Sequence, residues 1–235
     1  MQHSELEDLV AANRILAEHG VIDAYGHVSL RSPDNPQRFF LARAIAPETV
    51  QIEDILEYDL DARPVEAKGD SVSERFIHSE IYRARPDVMA VVHSHSPSVI
   101  PFGVTRTKLR PVYHMGSFLW SGAPVFEIRN EKKDNDLLIR DNPLGRALAG
   151  TLGKCNCVLM RGHGMTVIGD SVPEAVFRAI YTEMNARLQL QATQLEGPIE
   201  FLSEEEGRRS SASNRGTIER PWELWKRSVS ARGRP

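Results

Sequence analysis

Apolar residues recur at helical spacing near the start of the chain. Leu6, Leu9, Val10, Leu16 and Ala17 follow one face, Ser4 and Glu7 stand ahead of it at capping-box spacing, and Gly20 closes it. Residues 24–29 and 38–42 read as strands or strand ends around a polar loop at 32–37, and residues 58–65 as a strand turning into a hairpin. A second helix is expected from about Ser73 to Arg85, where Pro86 stops it. Residues 88–93 form a short apolar run bounded by turn signals, which predicts a buried strand, with a short helix following from Pro97. Another strand is expected at 123–128. Asn142 and Pro143 open a helix as cap and first-turn proline, and Gly153 closes it. Residues 155–160 read as a strand followed by a turn, Arg161-Gly162-His163-Gly164. Ser171 and Glu174 then form a second capping box for a long helix running to roughly Gln191. From Ser203 the chain becomes polar and reads as a solvated or mobile connector, after which Trp222 and Trp225 are expected to dock on the body or on a neighbouring subunit.

Strands and helices mix without strict alternation, which argues for a layered α/β or α+β body with a mixed sheet. The division expected is a body at 1–202 and a polar C-terminal tail at 203–235. Composition adds mainly exclusions. A net charge of −3 over 235 residues gives no reason to expect nucleic acid or an anionic membrane as partner. No apolar run approaches the ~18 residues of a membrane span, and the first residues do not read as a secretory signal. The two cysteines, Cys155 and Cys157, would share a strand face with Cα atoms roughly 6.6 Å apart and parallel side chains, a poor disulfide geometry. A reducing, cytoplasmic setting is expected.

The chemistry concentrates in histidines at strand ends. His93 and His95 stand two apart at the end of an apolar strand, so both imidazoles can face one ion. His163 lies between two glycines in a turn that also follows an apolar strand. The three together point to a metal site; singly, each reads as well as a hydrogen-bonded structural histidine. Glu74, in the first turn of its helix, suits the positive helix end and beside a dication becomes a ligand or a proton carrier. Gly162-x-Gly164 lacks the rest of a dinucleotide fingerprint, no Walker-type loop is present, and Ser94 and Ser96 lie in no nucleophile elbow. His114 stands alone.

The ordered set of Ser73-Glu74, the strand ending His93-Ser94-His95, the Arg161-Gly-His163-Gly turn and the helix opening Gly169-Asp-Ser-Val-Pro-Glu-Ala resembles the class II aldolase/adducin family over residues 4–195. The resemblance implies an α/β fold: a three-layer α/β/α sandwich with a central mixed, largely antiparallel sheet, making residues 1–202 the catalytic domain. It also implies homo-oligomers, commonly tetramers, with active sites between subunits. Carried over by motif, His93, His95 and His163 become the metal ligands, and Glu74 the acid/base residue that can also touch the metal.

The departures bear on substrate. Where sugar-phosphate aldolases of the family hold phosphate with a Gly-Asn segment, a Ser-Gly segment and a Ser-Ser pair, this chain has Gly26-His27, Arg43-Ala-Ile-Ala-Pro47 and Val72-Ser73. An imidazole and a guanidinium suit a flat carboxylate, which arginine can grip with two parallel hydrogen bonds. The variant resembles the branch that decarboxylates hydroxylated aromatic dicarboxylates, with the length and the Arg43 segment inclining toward the pyridine enzyme of vitamin B6 breakdown, which acts on 3-hydroxy-2-methylpyridine-4,5-dicarboxylate. That resemblance implies Mn2+, although three histidines and a glutamate also suit Zn2+. His27, Arg43 and Ser73 are the expected substrate-binding residues, with Tyr25 and Tyr181 as further pocket candidates. The alternatives are an aldolase, epimerase or dehydratase acting on a sugar or sugar phosphate, and a non-catalytic adducin-like interaction module.

Overall fold

Polar and apolar residues alternate so as to give one sheet with two covered faces. In the computed structural model, residues 3–66 and 69–232 are described. In chain order the elements are α1 (His3–Glu18), β1 (His27–Arg31), β2 (Arg38–Ala42), β3 (Ile55–Asp59), α2 (Arg75–Ala84), β4 (Ala90–Ser94) and α3 (Ile100–Val104). There follow β5 (Val125–Phe126), α4 (Asn142–Leu152), β6 (Cys157–Met160), β7 (Gly164–Gly169), α5 (Val172–Ala192), α6 (Glu204–Arg215) and α7 (Glu219–Arg232). The sheet has seven strands in the order β3-β2-β1-β4-β7-β6-β5. Every neighbouring pair is antiparallel except β5 with β6.

Strand period two sorts the side chains. Val28, Leu30, Ala90, Val92 and Val167 face a core shared with α1 and α5. Phe39, Leu41, Val91, Val158 and Ile168 face a second core under α2 and α4. The result is the three-layer α/β/α arrangement expected, with His27, Ser29, Arg31 and His93 on the α2 side. Buried Arg31 ties this layer together, donating to the carbonyls of Val88, Tyr82 and Arg85. Tyr82 and Arg85 lie at the C-terminal end of α2, where the helix dipole favours a cation.

Four features differ from the sequence reading. β7 is a strand, buried on both faces; it lacks alternation and follows its turn without a gap, so the pattern offers no boundary there. α1 is already helical at His3, so Ser4 lies inside it rather than at its cap. The polar stretch from Ser203 forms α6, with a complete capping box between Ser203 and Glu206. α6 packs through Gly207, where an added Cβ would sit 2.4 Å from Trp120 Cβ. α7 buries Trp222 and Trp225 in the core that contains α1 and α5, and Lys226 pairs with Asp8 at 2.9 Å. Asp141, not Asn142, caps α4. Among the described residues, no helix is long and apolar enough to cross a membrane.

Gly164 carries the closest approach in the sheet. A Cβ there would stand 2.0 Å from the carbonyl oxygen of Ser94. Gly164→Ala is expected to cost about 3 kcal/mol by overpacking and to displace the Ser94–His95 segment. Urea denaturation checks the first effect and a metal titration the second; a variant as stable as the parent contradicts the packing reading.

Candidate metal centre and active site

The site forms where β1, β4 and the β6–β7 turn end on the α2 side. His27 pairs with His93 across β1 and β4, and His93 pairs with Thr166 across β4 and β7. His163 stands in the turn before β7, its amide bonded to Met160 O at 3.1 Å. His95 follows β4 in a loop locked by Glu183 of α5, which accepts from Ser96 Oγ at 2.5 Å and Ser98 N at 3.0 Å. Glu74 is the N-cap of α2 and makes no side-chain capping bond. Its carboxylate instead accepts from Ile139 N at 2.9 Å through Oε1 and turns Oε2 toward the histidines.

Four donor groups converge. Glu74, His93, His95 and His163 each present a ligand atom, all within 4.8 Å of one another. Oε2 of Glu74 lies 3.6 Å from His93 Nε2 and 3.4 Å from His163 Nε2; His163 Nε2 and His95 Nε2 are 3.0 Å apart. Donors roughly 2.0–2.1 Å from one tetrahedral ion lie roughly 3.3–3.4 Å from each other, so these spacings fit a divalent cation. His93 Nε2 supports the fit independently: it is fully buried and has no hydrogen-bond partner, an arrangement that costs free energy unless something takes the lone pair. The opposite ring nitrogens set the tautomers. His163 Nδ1 donates to Leu137 O at 2.9 Å, and His93 Nδ1 faces Thr166 Oγ1 at 3.3 Å, leaving both Nε2 lone pairs inward. Leu137 holds a left-handed φ of 69°, a strained conformation at the residue that orients His163.

The electrostatics follow from burial and proximity. Burial raises the Glu74 carboxyl, but its bond to His163 and the fields of His93 and His163 outweigh this, leaving it below its ordinary value. Burial likewise lowers His163, while the Glu74 bond and charge bring it above ordinary. Burial pulls His93 far down, only partly offset by Glu74. A buried carboxylate beside three histidines is suited to receiving a dication, which displaces the proton that Glu74 draws onto His163.

The sequence-predicted substrate residues fall into two groups. His27 is buried at the site, its ring centroid 5.0 Å from that of His93. Arg43 follows β2, whose Leu41 pairs with Ser29, so it falls level with His27 one strand further out. Its Nε is committed to Asp54 at 2.7 Å, leaving the two terminal nitrogens for a ligand. Ser73 is exposed beside Glu74. Tyr25, 70 % exposed, marks the mouth, 6.3 Å from the His95 ring. Tyr181 packs on the other face of the sheet against Phe177 and Trp225, and His114 is exposed at the start of a 3-10 turn at 114–121. Neither joins the cluster. A groove of about 610 Å³ lined by Phe102, Leu109, Trp120, Val125 and Leu159 holds none of the site residues.

Sequence reasoning passed over His78, Thr166, and the Leu137 and Ile139 backbone groups. His78 had a signal. Glu74, His78 and Tyr82 are spaced four apart and form a polar stripe on the face of α2 that is otherwise buried. Burial holds the His78 imidazole down at about 3, against 6.5 ordinarily. Below pH 6.5 the unfolded chain therefore binds a proton that the folded chain refuses, and stability falls on acidification; above that pH the contribution is constant. This group is expected to supply a slope of up to ~1.4 kcal/mol per pH unit below about pH 6. Denaturant titrations at several pH values on the metal-free parent and His78→Gln check it; equal slopes in the two contradict it.

Residues 7–190 match the model of the Class II Aldolase and Adducin N-terminal domain. The chain belongs to the class II aldolase/adducin family. Its relatives in that family include the decarboxylase tropJ of Talaromyces stipitatus, 40% identical over 95% of this chain and 93% of its own. The 3,4-dihydroxyphthalate decarboxylase of Arthrobacter keyseri is 32% identical over 83% of this chain and 82% of its own. Among solved structures, the fold matches L-fuculose 1-phosphate aldolase from Glaciozyma antarctica PI12 with a TM-score of 0.79 and 21% identity, covering 97% of this chain and 89% of that one.

Proposed function

We propose that this family member is a metal-dependent carboxy-lyase that removes CO2 without oxidation from a hydroxylated aromatic or pyridine dicarboxylate. The observation that carries the reading is the buried pair of His27 with His93: an imidazole suited to a carboxylate stands directly beside a member of the Glu74, His93, His95 and His163 cluster, with Arg43 just beyond the end of β2 as the further candidate. The names of two well-covered relatives, both decarboxylases, support the same reaction class. Likeness to a sugar-phosphate aldolase at 21% identity speaks for the fold alone.

In this mechanism His93, His95 and His163 would hold the ion, Mn2+ by preference and Zn2+ as the alternative. Bound there, the ion would supply Lewis acidity. Glu74, ionised at rest, accepts the hydroxyl proton as substrate binds and returns it to the ring carbon that carries the leaving carboxylate. The ring then holds a keto-like form; the carbon–carboxylate bond breaks, its electron pair restores the aromatic phenolate, and CO2 departs. A proton from water completes the product hydroxyl. His27 and Arg43 hold the second carboxylate, and Ser73 lies at the rim. Tyr25 at the open mouth fits a site completed by a neighbouring copy, and a homotetramer is the assembly proposed, in the cytoplasm.

The ring is tested by a panel. The Mn2+-loaded protein is expected to release CO2 from 3-hydroxy-2-methylpyridine-4,5-dicarboxylate or 3,4-dihydroxyphthalate, the sequence favouring the first and the name of one relative the second. Dihydroxyacetone phosphate with an aldehyde is the control. Aldol product without CO2 from either ring would replace this reading by the sugar-phosphate one.

A further inference from the structure

Behind His27 runs a line of buried polar groups that the mechanism does not use. His27 Nδ1 lies 2.6 Å from His78 Nε2. His78 Nδ1 lies 2.6 Å from Ser29 Oγ. Ser29 Oγ lies 2.7 Å from the Tyr82 hydroxyl, which is 3.4 Å from Met89 O. His78 and Ser29 are fully buried and Tyr82 nearly so. The line exists because two periods match. Alternate residues of β1 advance roughly 6.6 Å and every fourth residue of α2 roughly 6 Å, so His27 and Ser29 stay level with His78 and Tyr82.

Each member of the line has one proton to place, so its polarity is fixed at the far end. The Tyr82 proton can go to Ser29 Oγ at 2.7 Å or to Met89 O at 3.4 Å. Met89 O already accepts the Arg31 amide at 2.7 Å, and 3.4 Å lies outside the range of a good O–H···O bond. The proton goes to Ser29. Ser29 must then donate to His78 Nδ1, and His78 Nε2–H to His27 Nδ1. With His27 Nδ1 accepting from His78 at 2.6 Å, the one proton of the His27 ring sits on Nε2. That nitrogen has no protein partner among the described residues and belongs to a ring packed against His93.

We propose that Tyr82, Ser29 and His78 are positioning residues that lock His27 in its Nε2–H form, making it a hydrogen-bond donor to a substrate carboxylate. Reversed polarity would leave a lone pair on Nε2 in place of the proton, and the ring beside His93 would repel a carboxylate instead of donating to it. The carboxylate role rests on the decarboxylase reading above; the tautomer does not.

The test reads the proton directly. Long-range 1H–15N spectra of the full-length chain labelled with 15N-histidine are recorded with and without Zn2+, and the signal lost in His27→Asn is assigned to His27. The expected result is a protonated Nε2 and a lone-pair Nδ1, with Nε2 still protonated after Zn2+ is added. An Nδ1–H tautomer, or an Nε2 that loses its proton to Zn2+, overturns the proposal. Ser29→Ala supplies the second readout. Its Zn2+ affinity should match the parent, while phthalate binding, followed calorimetrically, weakens about tenfold as the tautomers mix. Unchanged phthalate binding, or a parallel fall in Zn2+ affinity, contradicts the role. Failure of CO2 release would remove the decarboxylase reading and leave the tautomer result standing.

Discussion

Glu74→Gln is expected to lower turnover by about 10²–10⁴, the usual range for a positioned proton carrier, while the protein keeps its metal. The substitution preserves shape. The amide oxygen can still accept from Ile139 N, the bond that holds Oε1 at 2.9 Å, so the side chain stays in place at the end of α2. What is lost is a group that takes and returns a proton. Oε2, 3.4–3.6 Å from His163 and His93, becomes an NH2 that can do neither. Turnover and metal content measured on the same preparation separate the two roles open to Glu74. Low turnover with full metal makes it the carrier. Joint loss of both makes it chiefly a ligand, and near-parental turnover removes it from the chemistry.

His95→Ala is expected to weaken metal binding more than about a hundredfold, beyond the 10–100-fold typical of losing an outer-shell partner, with little change in metal-free stability. The contrast comes from burial. His93 sits in the closed interior of β4, where truncation leaves a cavity, whereas His95 is half-exposed on the loop after it. That loop keeps its own anchors, the two bonds from Ser96 and Ser98 to Glu183. Metal at a hundred times its dissociation constant should stabilise the parent by about 2.7 kcal/mol, and the variant at the same concentration hardly at all. Thermal melts with and without Mn2+ or Zn2+ measure this. A variant stabilised as much as the parent contradicts the ligand assignment.

Much of this site was legible because its residues sit where pattern changes. The apolar run into His93 and the glycines around His163 mark strand ends, and strand ends are where side chains can converge on an ion. The two halves of the site are far apart in sequence, and only the antiparallel pairing of β4 with β7 brings them together. β7 itself was not legible, since a strand buried on both faces has no alternation to read. α6 was misread for the opposite reason. Its composition is that of a solvated segment, but Ser203 and Glu206 cap it, and Gly207 lets it lie against Trp120. His78 shows a third kind of limit: its stripe with Glu74 and Tyr82 is visible in sequence, but its meaning depends on β1 lying against that face.

The measurement that tests the central claim most directly is release of labelled CO2 from ring-carboxylate-13C 3,4-dihydroxyphthalate and its pyridine counterpart, run in D2O on chelator-stripped protein before and after reloading with Mn2+ or Zn2+. The account predicts no release from stripped protein. After reloading it predicts one CO2 per product, with deuterium at the vacated ring carbon. Undiminished release from stripped protein, or reloaded protein that binds metal at the histidine cluster and leaves both rings intact, would contradict it.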